Sequence, residues 1–300
     1  MSTAASRATE LTKLYQNWHK IDAAAPWEEV LLDNANRVSA PLVMKMLAQM
    51  GLNKDTTTPF KMFENACGAG VVASSLQTTI QPQVLQKSSI LCGDFSQQSM
   101  DLVKKRIEAE GWVNTTAEII DGQKTGLPDG EFTHVATNIG FHVIPDSETA
   151  LNEAIRILKP GGVLGFTTWH RFPGFVEDIS EAFKSFPFEA PFSYALQTTS
   201  WGNWENINWV RKTLEGKGLE DVKVDVLAHI TRVDSTDHFL SHFGMMVDWV
   251  MNSGWSEELR KAHPKDEVFR LLRESLDQKY QNGPWELSWV SLIASGRIPL

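Results

Sequence analysis

Cysteine is scarce: the 300 residues hold only Cys67 and Cys92. That count excludes a disulfide-stapled scaffold and suits free, buried thiols in a reducing compartment. No run of eighteen apolar residues occurs, so no membrane-spanning helix is expected. The opening stretch, MSTAASRATELTKLYQNW, lacks the apolar core of a secretion signal, and a cytoplasmic location is the expectation. Basic residues are outnumbered, with 28 Lys and Arg against 37 Asp and Glu, and the formal charge of −9 argues against a nucleic-acid partner. Internal repeats and low-complexity tracts are also missing. The length suffices for one large α/β domain with a sizeable core.

Tryptophan, by contrast, is plentiful at eleven residues. Trp18, Trp27, Trp201, Trp204, Trp209, Trp249, Trp255 and Trp285 fall outside the strand-and-loop core. Large aromatics in peripheral segments suit a lid over a hydrophobic pocket, and they equally suit helices packed on the core.

The chain is organised around residues 60–70, FKMFENACGAG. A short apolar run ends at Glu64, small residues follow, and VVASSLQTT continues as a helix. This is the pattern of a strand, a tight turn and a helix N-terminus, where small residues let backbone approach a ligand. Free N–H groups of the first helical turn suit a carboxylate or phosphate, and the acid at the strand end suits a hydroxyl or ammonium. Such loops also occur in α/β proteins that bind nothing there. Cys67 in this turn has no base nearby in sequence, which favours a buried thiol over a nucleophile.

Helical spacing marks residues 9–18, 26–34 and 39–51 ahead of the first strand, with residues 1–8 a loose tip. Strands are expected at 89–92, 115–120, 132–138 and 163–169, with helices at 99–110 and 147–158 between them. That alternation predicts a mostly parallel sheet with helices on both faces. Beyond residue 170 the rhythm breaks. Helices are expected at 175–186 and 204–217, a sixth strand at 220–230 and a last strand at 285–295. Residues 234–281 read as helical, with breaks at Gly254 and Pro264.

The strand ends carry Glu64, Asp94, Asp121-Gly122 and Asn138-Ile139 along one sheet edge. An acid after the second strand suits the two donors of a ribose diol, and a polar group after the third suits an adenine edge. Asp94 could also be a simple helix cap. Together the four are consistent with an adenosine-bearing cofactor.

Four stretches carry a resemblance: FENACGAG, GDFSQQSM, IIDGQKTGLPDGEFTHVATNIGFHVIPD and LNEAIRILKPGGVLGFTTW, over about residues 60–170. In this order they resemble class I S-adenosylmethionine-dependent methyltransferases, especially the small-molecule branch of ubiquinone and menaquinone biosynthesis. The run LLDNANRVSAPLV and the Trp-rich insertions are similar to fungal natural-product methyltransferases.

The resemblance implies a Rossmann-like, doubly wound, mostly parallel seven-stranded sheet with N-terminal helices and helical lid insertions. It implies S-adenosyl-L-methionine as cofactor. Glu64, Ala66, Cys67, Gly68 and Gly70 would match the methionine loop. Asp94 would hold the ribose, with Phe95 and Met100 beside the adenosine, Asp121 and Gly122 flanking the adenine, and Asn138 and Ile139 on the sulfonium side. Ala66 stands where the family's first loop glycine is usual. The spacing after Gly68-Ala69-Gly70 does not complete the dinucleotide GxGxxG pattern, which argues against NAD.

Methyl transfer needs chiefly proximity and water exclusion, and a base only for a protonated nucleophile. His142 and His170, each just past a strand end, are the candidates for that chemistry, with structural roles as the alternative. Phe141, Trp169, Trp201, Trp204, His242, Met245 and Met246 are the candidate substrate-pocket residues, although Met and Trp at helical spacing are more often core. His238 and His242 share a helix face, yet no third ligand is evident in sequence, and no metal is expected.

The division that follows is a substrate cap at 1–58, a cofactor core at 59–170, and remaining strands with lid insertions at 171–210 and 233–284. The expected activity is methylation of O, N or S on a hydrophobic or aromatic small molecule, in secondary metabolism. The same fold and site could instead serve a cyclisation, or a silent binding protein. A homodimer through the N-terminal helices is compatible with the sequence.

Overall fold

The computed structural model describes residues 26–300. The helix expected over 9–18 lies outside them. Seven strands form one sheet in the order β3-β2-β1-β4-β5-β7-β6. They are β1 Lys61–Asn65, β2 Ser89–Asp94, β3 Thr115–Ile119, β4 Phe132–Asn138, β5 Leu158–Trp169, β6 Glu220–Val233 and β7 Trp285–Arg297. The first five pair in parallel, whereas β7 runs antiparallel between β5 and β6. The sheet is thus the Rossmann-like, mostly parallel one that the strand–helix alternation predicts.

Helices cover both faces: α1 Trp27–Asn34, α2 Ala40–Gln49, α3 Val71–Thr79, α4 Pro82–Leu85, α5 Gln97–Glu110 and α6 Ser147–Arg156. After β5 come α7 Gly174–Lys184, α8 Ile207–Gly216, α9 Thr236–Gly254, α10 Glu257–Ala262 and α11 Lys265–Tyr280. Local chemistry sets their limits. Ser96 caps α5 by accepting from the Ser99 N–H, and Gly111 ends that helix at φ +65°. Gly254 closes α9, and Pro264 stands immediately before α11.

Sequence periodicity misses two things. The LKPGG run is the start of β5, because Leu158 pairs with Phe132 across a bulge. The short helix α4 is too brief to show a period.

Helix α2 buries Leu42, Val43, Met46 and Leu47 and packs on β5, β6 and β7, so it is one of the layer helices. A separate aromatic core joins α7, α9 and α11 to Trp285, Leu287 and Trp289 of β7. These insertions therefore sit over the carboxyl end of β5. No helix among the described residues is long and apolar enough to cross a membrane.

Candidate active site

Two cavities open at the carboxyl ends of the parallel strands. The first, of about 180 Å³, lies over β1 and β2 and is lined by Ala66, Gly68, Asp94, Phe95 and Ile139, with Trp27 and Leu31 from α1. The second, of about 200 Å³, lies under α9 and is lined by His142, Trp169, His242, Met245 and Met246 together with Phe175, Tyr194 and Phe243. Leu31, Ile139 and Val143 border both cavities.

The first cavity is shaped by a backbone in unusual conformations. Ala66, Gly68 and Gly70 have φ of 52°, 53° and 74°, so the turn runs through the left-handed region. Alanine at the first of these costs roughly 1 kcal/mol relative to glycine, and the turn tolerates it. Ile139 also has φ 53°, a marked outlier for a β-branched residue. Its N–H donates to the Thr167 carbonyl at 3.1 Å and to Thr167 Oγ1 at 2.9 Å, which holds the strained residue at the seam of the two cavities.

Asp94 is 7% exposed, and its carboxylate accepts from the Gly68 N–H at 2.9 Å and the Ser96 N–H at 3.0 Å. Burial pushes its pKa up, against those donors. Each carboxylate oxygen keeps a second lone pair for a donor in the cavity.

Glu64 is placed differently from the expectation. It faces α3, accepting from the Val72 N–H at 2.9 Å and the Ala73 N–H at 2.8 Å. The first-turn N–H groups that would suit a ligand carboxylate or phosphate are thus partly taken by the protein's own acid. Burial raises the Glu64 carboxyl from 4.5 to about 7 despite these donors. The folded chain then holds a proton that the unfolded chain has released. Stability is accordingly expected to fall as pH rises from 4.5 to about 7, by about 3 kcal/mol from this group. Denaturant titrations across that range should show Glu64→Gln losing this decline, and parallel profiles would show Glu64 to be ionised throughout.

Several other expected residues stand off the first cavity. Met100 is fully buried in the core beneath α5, because its helical face points at the sheet. Cys67 is buried with the same core, and burial pushes its thiol well up, which removes it as a nucleophile. Gly70 lies under Trp112, where an added Cβ would stand 3.1 Å from the ring. Asp121 is exposed and accepts from the Gln123 N–H at 2.9 Å, and Gly122 packs on the Asn65 amide. Asn138 accepts from Thr167 Oγ1 at 2.6 Å, bracing the turn that presents Ile139.

The second cavity carries an apolar, ring-rich wall and, among the described residues, no Asp, Glu, Lys or Arg. His142 is 3% exposed there, and its Nδ1 has no hydrogen-bond partner among the described residues. Burial holds its pKa down to about 3, so the ring is neutral. His170 is turned away, its Nδ1 held 2.7 Å from the Glu205 carbonyl. Phe141, Trp201 and Trp204 also stand off the wall. Phe141 and Trp204 stack at 4.9 Å in a fully buried cluster, and Trp201 packs edge-on against Trp204. Their sequence positions, past strand ends, do not reveal that α6 and β5 enclose them.

Leu31, Phe175, Tyr194, Phe243 and Trp289 are wall residues that the sequence reading missed. For Trp289 the signal was available: WELSWVSL alternates, which places every second residue on one face.

Comparison with known proteins matches residues 63–166 to a methyltransferase domain family. The chain is 29% identical over 266 residues to methyltransferase tpcH of Aspergillus fumigatus, covering 88% of this chain and 93% of that protein. It is 26% identical to the acetylaranotin bis-thiomethyltransferase of Aspergillus terreus, covering 82% and 85%. Among solved structures, a Bacillus halodurans protein described as a candidate methyltransferase superposes with a TM-score of 0.50 at 16% identity, covering 86% of this chain and 99% of that one. The last likeness concerns the fold.

Proposed function

We propose that this chain, an S-adenosylmethionine-dependent methyltransferase, methylates sulfur or phenolic oxygen on an uncharged, ring-bearing small molecule of secondary metabolism. The observation that carries this reading is the ring-lined second cavity sharing Leu31, Ile139 and Val143 with the cofactor cavity.

The first cavity fits S-adenosylmethionine: a buried carboxylate for a diol, a backbone turn that permits close approach, and apolar walls at Trp27, Leu31 and Phe95. When bound, this cofactor supplies a sulfonium methyl group open to in-line displacement. Asp94 would hold the ribose hydroxyls, and Ile139 and Gly140 would form the wall toward the acceptor. The aromatic rings of the second cavity exclude water and orient a flat acceptor, which is where proximity gains arise.

A neutral His142 can accept a hydrogen bond from an acceptor S–H or O–H, yet it holds a proton weakly. That favours groups that ionise readily, such as thiols and acidic phenols. A cationic amine finds no carboxylate on this wall among the described residues. The sulfur chemistry in the name of the Aspergillus terreus relative supports the same direction.

Purified protein with methyl-labelled cofactor and a panel of thiols, phenols and charged amines tests the reading. Product and S-adenosylhomocysteine should form with aromatic thiols or phenols, and Phe243→Ala should raise KM about tenfold or more by opening the wall. Turnover confined to charged amines would overturn the assignment.

A further inference from the structure

Asp33 on α1 and His238 and His242 on α9 converge beside the second cavity. The histidines are four residues apart and share a helix face, and Asp33 supplies the third group that the sequence did not reveal. Their ligand atoms all lie within 4.8 Å of one another. Asp33 Oδ2 is 3.0 Å from His242 Nε2 and 3.8 Å from His238 Nε2. A tetrahedral zinc with nitrogen and oxygen ligands sets neighbouring ligand atoms about 3.3 Å apart. The two carboxylate–histidine separations bracket that value.

Proton bookkeeping points the same way. His242 Nδ1 lies 2.9 Å from the His238 carbonyl and 2.9 Å from Ser241 Oγ. The Ser241 hydroxyl donates to that same carbonyl at 2.8 Å, so Nδ1 faces acceptors on both sides and carries the proton. With Nδ1–H donating to those acceptors, the Nε2 lone pair faces the Asp33 carboxylate. Nε2 has no hydrogen-bond partner among the described residues despite that proximity, so the oxygen stands off the ring-nitrogen axis. A second ligand stands off that axis when a cation occupies it.

His238 is prepared similarly. Its Nδ1 accepts from the Asp234 N–H at 3.2 Å and stands 3.4 Å from Asp234 Oδ2, so metal binding through Nε2 moves the ring proton to Nδ1, where that carboxylate is the available acceptor. With Nδ1 donating to the carboxylate, Nε2 is free to ligate, the arrangement by which an outer carboxylate orients a metal-bound imidazole. Arg37 Nε donates to Asp33 Oδ1 at 2.9 Å, which fixes that carboxylate with Oδ2 turned to the histidines.

We infer that Asp33, His238 and His242 bind a divalent transition-metal ion of the zinc class at the rim of the aromatic cavity. Two imidazoles select zinc or cobalt over magnesium. The ion ties α9 to α1, whose Leu31 and Asn34 share the cavity wall with His242 and Met245. It thereby holds the cavity's two sides together.

The test uses tag-free full-length protein stripped with EDTA and titrated with zinc, cobalt or magnesium chloride. Zinc should bind at one equivalent per chain and raise the melting temperature by at least about 4 °C at saturation. Cobalt should give the intense visible spectrum of a tetrahedral site, and magnesium should do neither. Asp33→Asn and His238→Gln, checked for an unchanged circular dichroism spectrum, should each weaken zinc at least tenfold. Failure of zinc to bind the wild type overturns the inference, as does equal binding by the double variant His238→Gln/His242→Gln. Metal uptake is read without methyl transfer, so a wrong acceptor assignment leaves this result standing.

Discussion

Asp94→Ala is expected to lower affinity for S-adenosylhomocysteine by at least about 100-fold. Among the described residues the carboxylate is the one acidic side chain on the first cavity, and its oxygens are already fixed by the Gly68 and Ser96 N–H groups. Hydrogen bonds to a charged acceptor contribute roughly 1.5–3 kcal/mol each, so two lost ribose contacts amount to about 10²–10⁴ in binding. The substitution also frees the Gly68 N–H, which loosens the turn that the cofactor must contact. Both effects act on binding far more than on the fold, since the two N–H groups border the cavity and can turn to water. Titration calorimetry with S-adenosylhomocysteine measures the loss. Asp121→Ala serves as contrast: that side chain is exposed and off the cavity wall, and a tenfold effect is the most expected of it. Affinity unchanged in the Asp94 variant would remove the ribose assignment altogether.

The sheet was legible because strand and helix periods alternate cleanly up to Trp169, and glycine or proline marks most of the boundaries. The strand-end residues around the first cavity were legible for the same reason: in a doubly wound sheet, residues after parallel strands share one edge whatever their neighbours. What each side chain does there was less legible. Glu64 and Asp94 look alike in sequence, each an acid closing a strand, yet one faces α3 and the other the cavity. Register decides between them: Glu64 pairs with Cys92, so Asp94 stands two positions nearer the carboxyl edge.

The second cavity was hardest to read. Its walls come from α1, α7, α9 and β7, elements far apart in the chain, and β7 enters antiparallel between β5 and β6. No local pattern announces that pairing, which is what carries Trp289 to Trp169, with ring centroids 5.4 Å apart. The convergence of Asp33 on His238 and His242 is invisible for the same reason.

Trp204→Ala carries the largest expected loss of stability and separates core aromatics from cavity aromatics. Trp204 is fully buried, stacked on Phe141 at 4.9 Å and edge-on to Phe166 at 5.4 Å and Trp209 at 5.2 Å. Its Nε1 donates to Ser147 Oγ at 3.0 Å, and its carbonyl accepts from Thr168 Oγ1 at 2.8 Å, so one residue ties its loop to α6 and β5. Truncation leaves a large cavity, while Ser147 Oγ keeps the Trp201 carbonyl and Thr199 Oγ1 as partners, so the cost of about 3–5 kcal/mol comes from the cavity. Trp169→Ala removes a ring of the same size from the half-buried wall of the second cavity, where solvent or substrate can occupy the space. It should cost less stability and act mainly on KM. Urea unfolding of the two variants decides the matter. A loss below about 1.5 kcal/mol for Trp204→Ala would mean that its ring is not enclosed, and would return Trp204 to the substrate wall where its sequence position first suggested it.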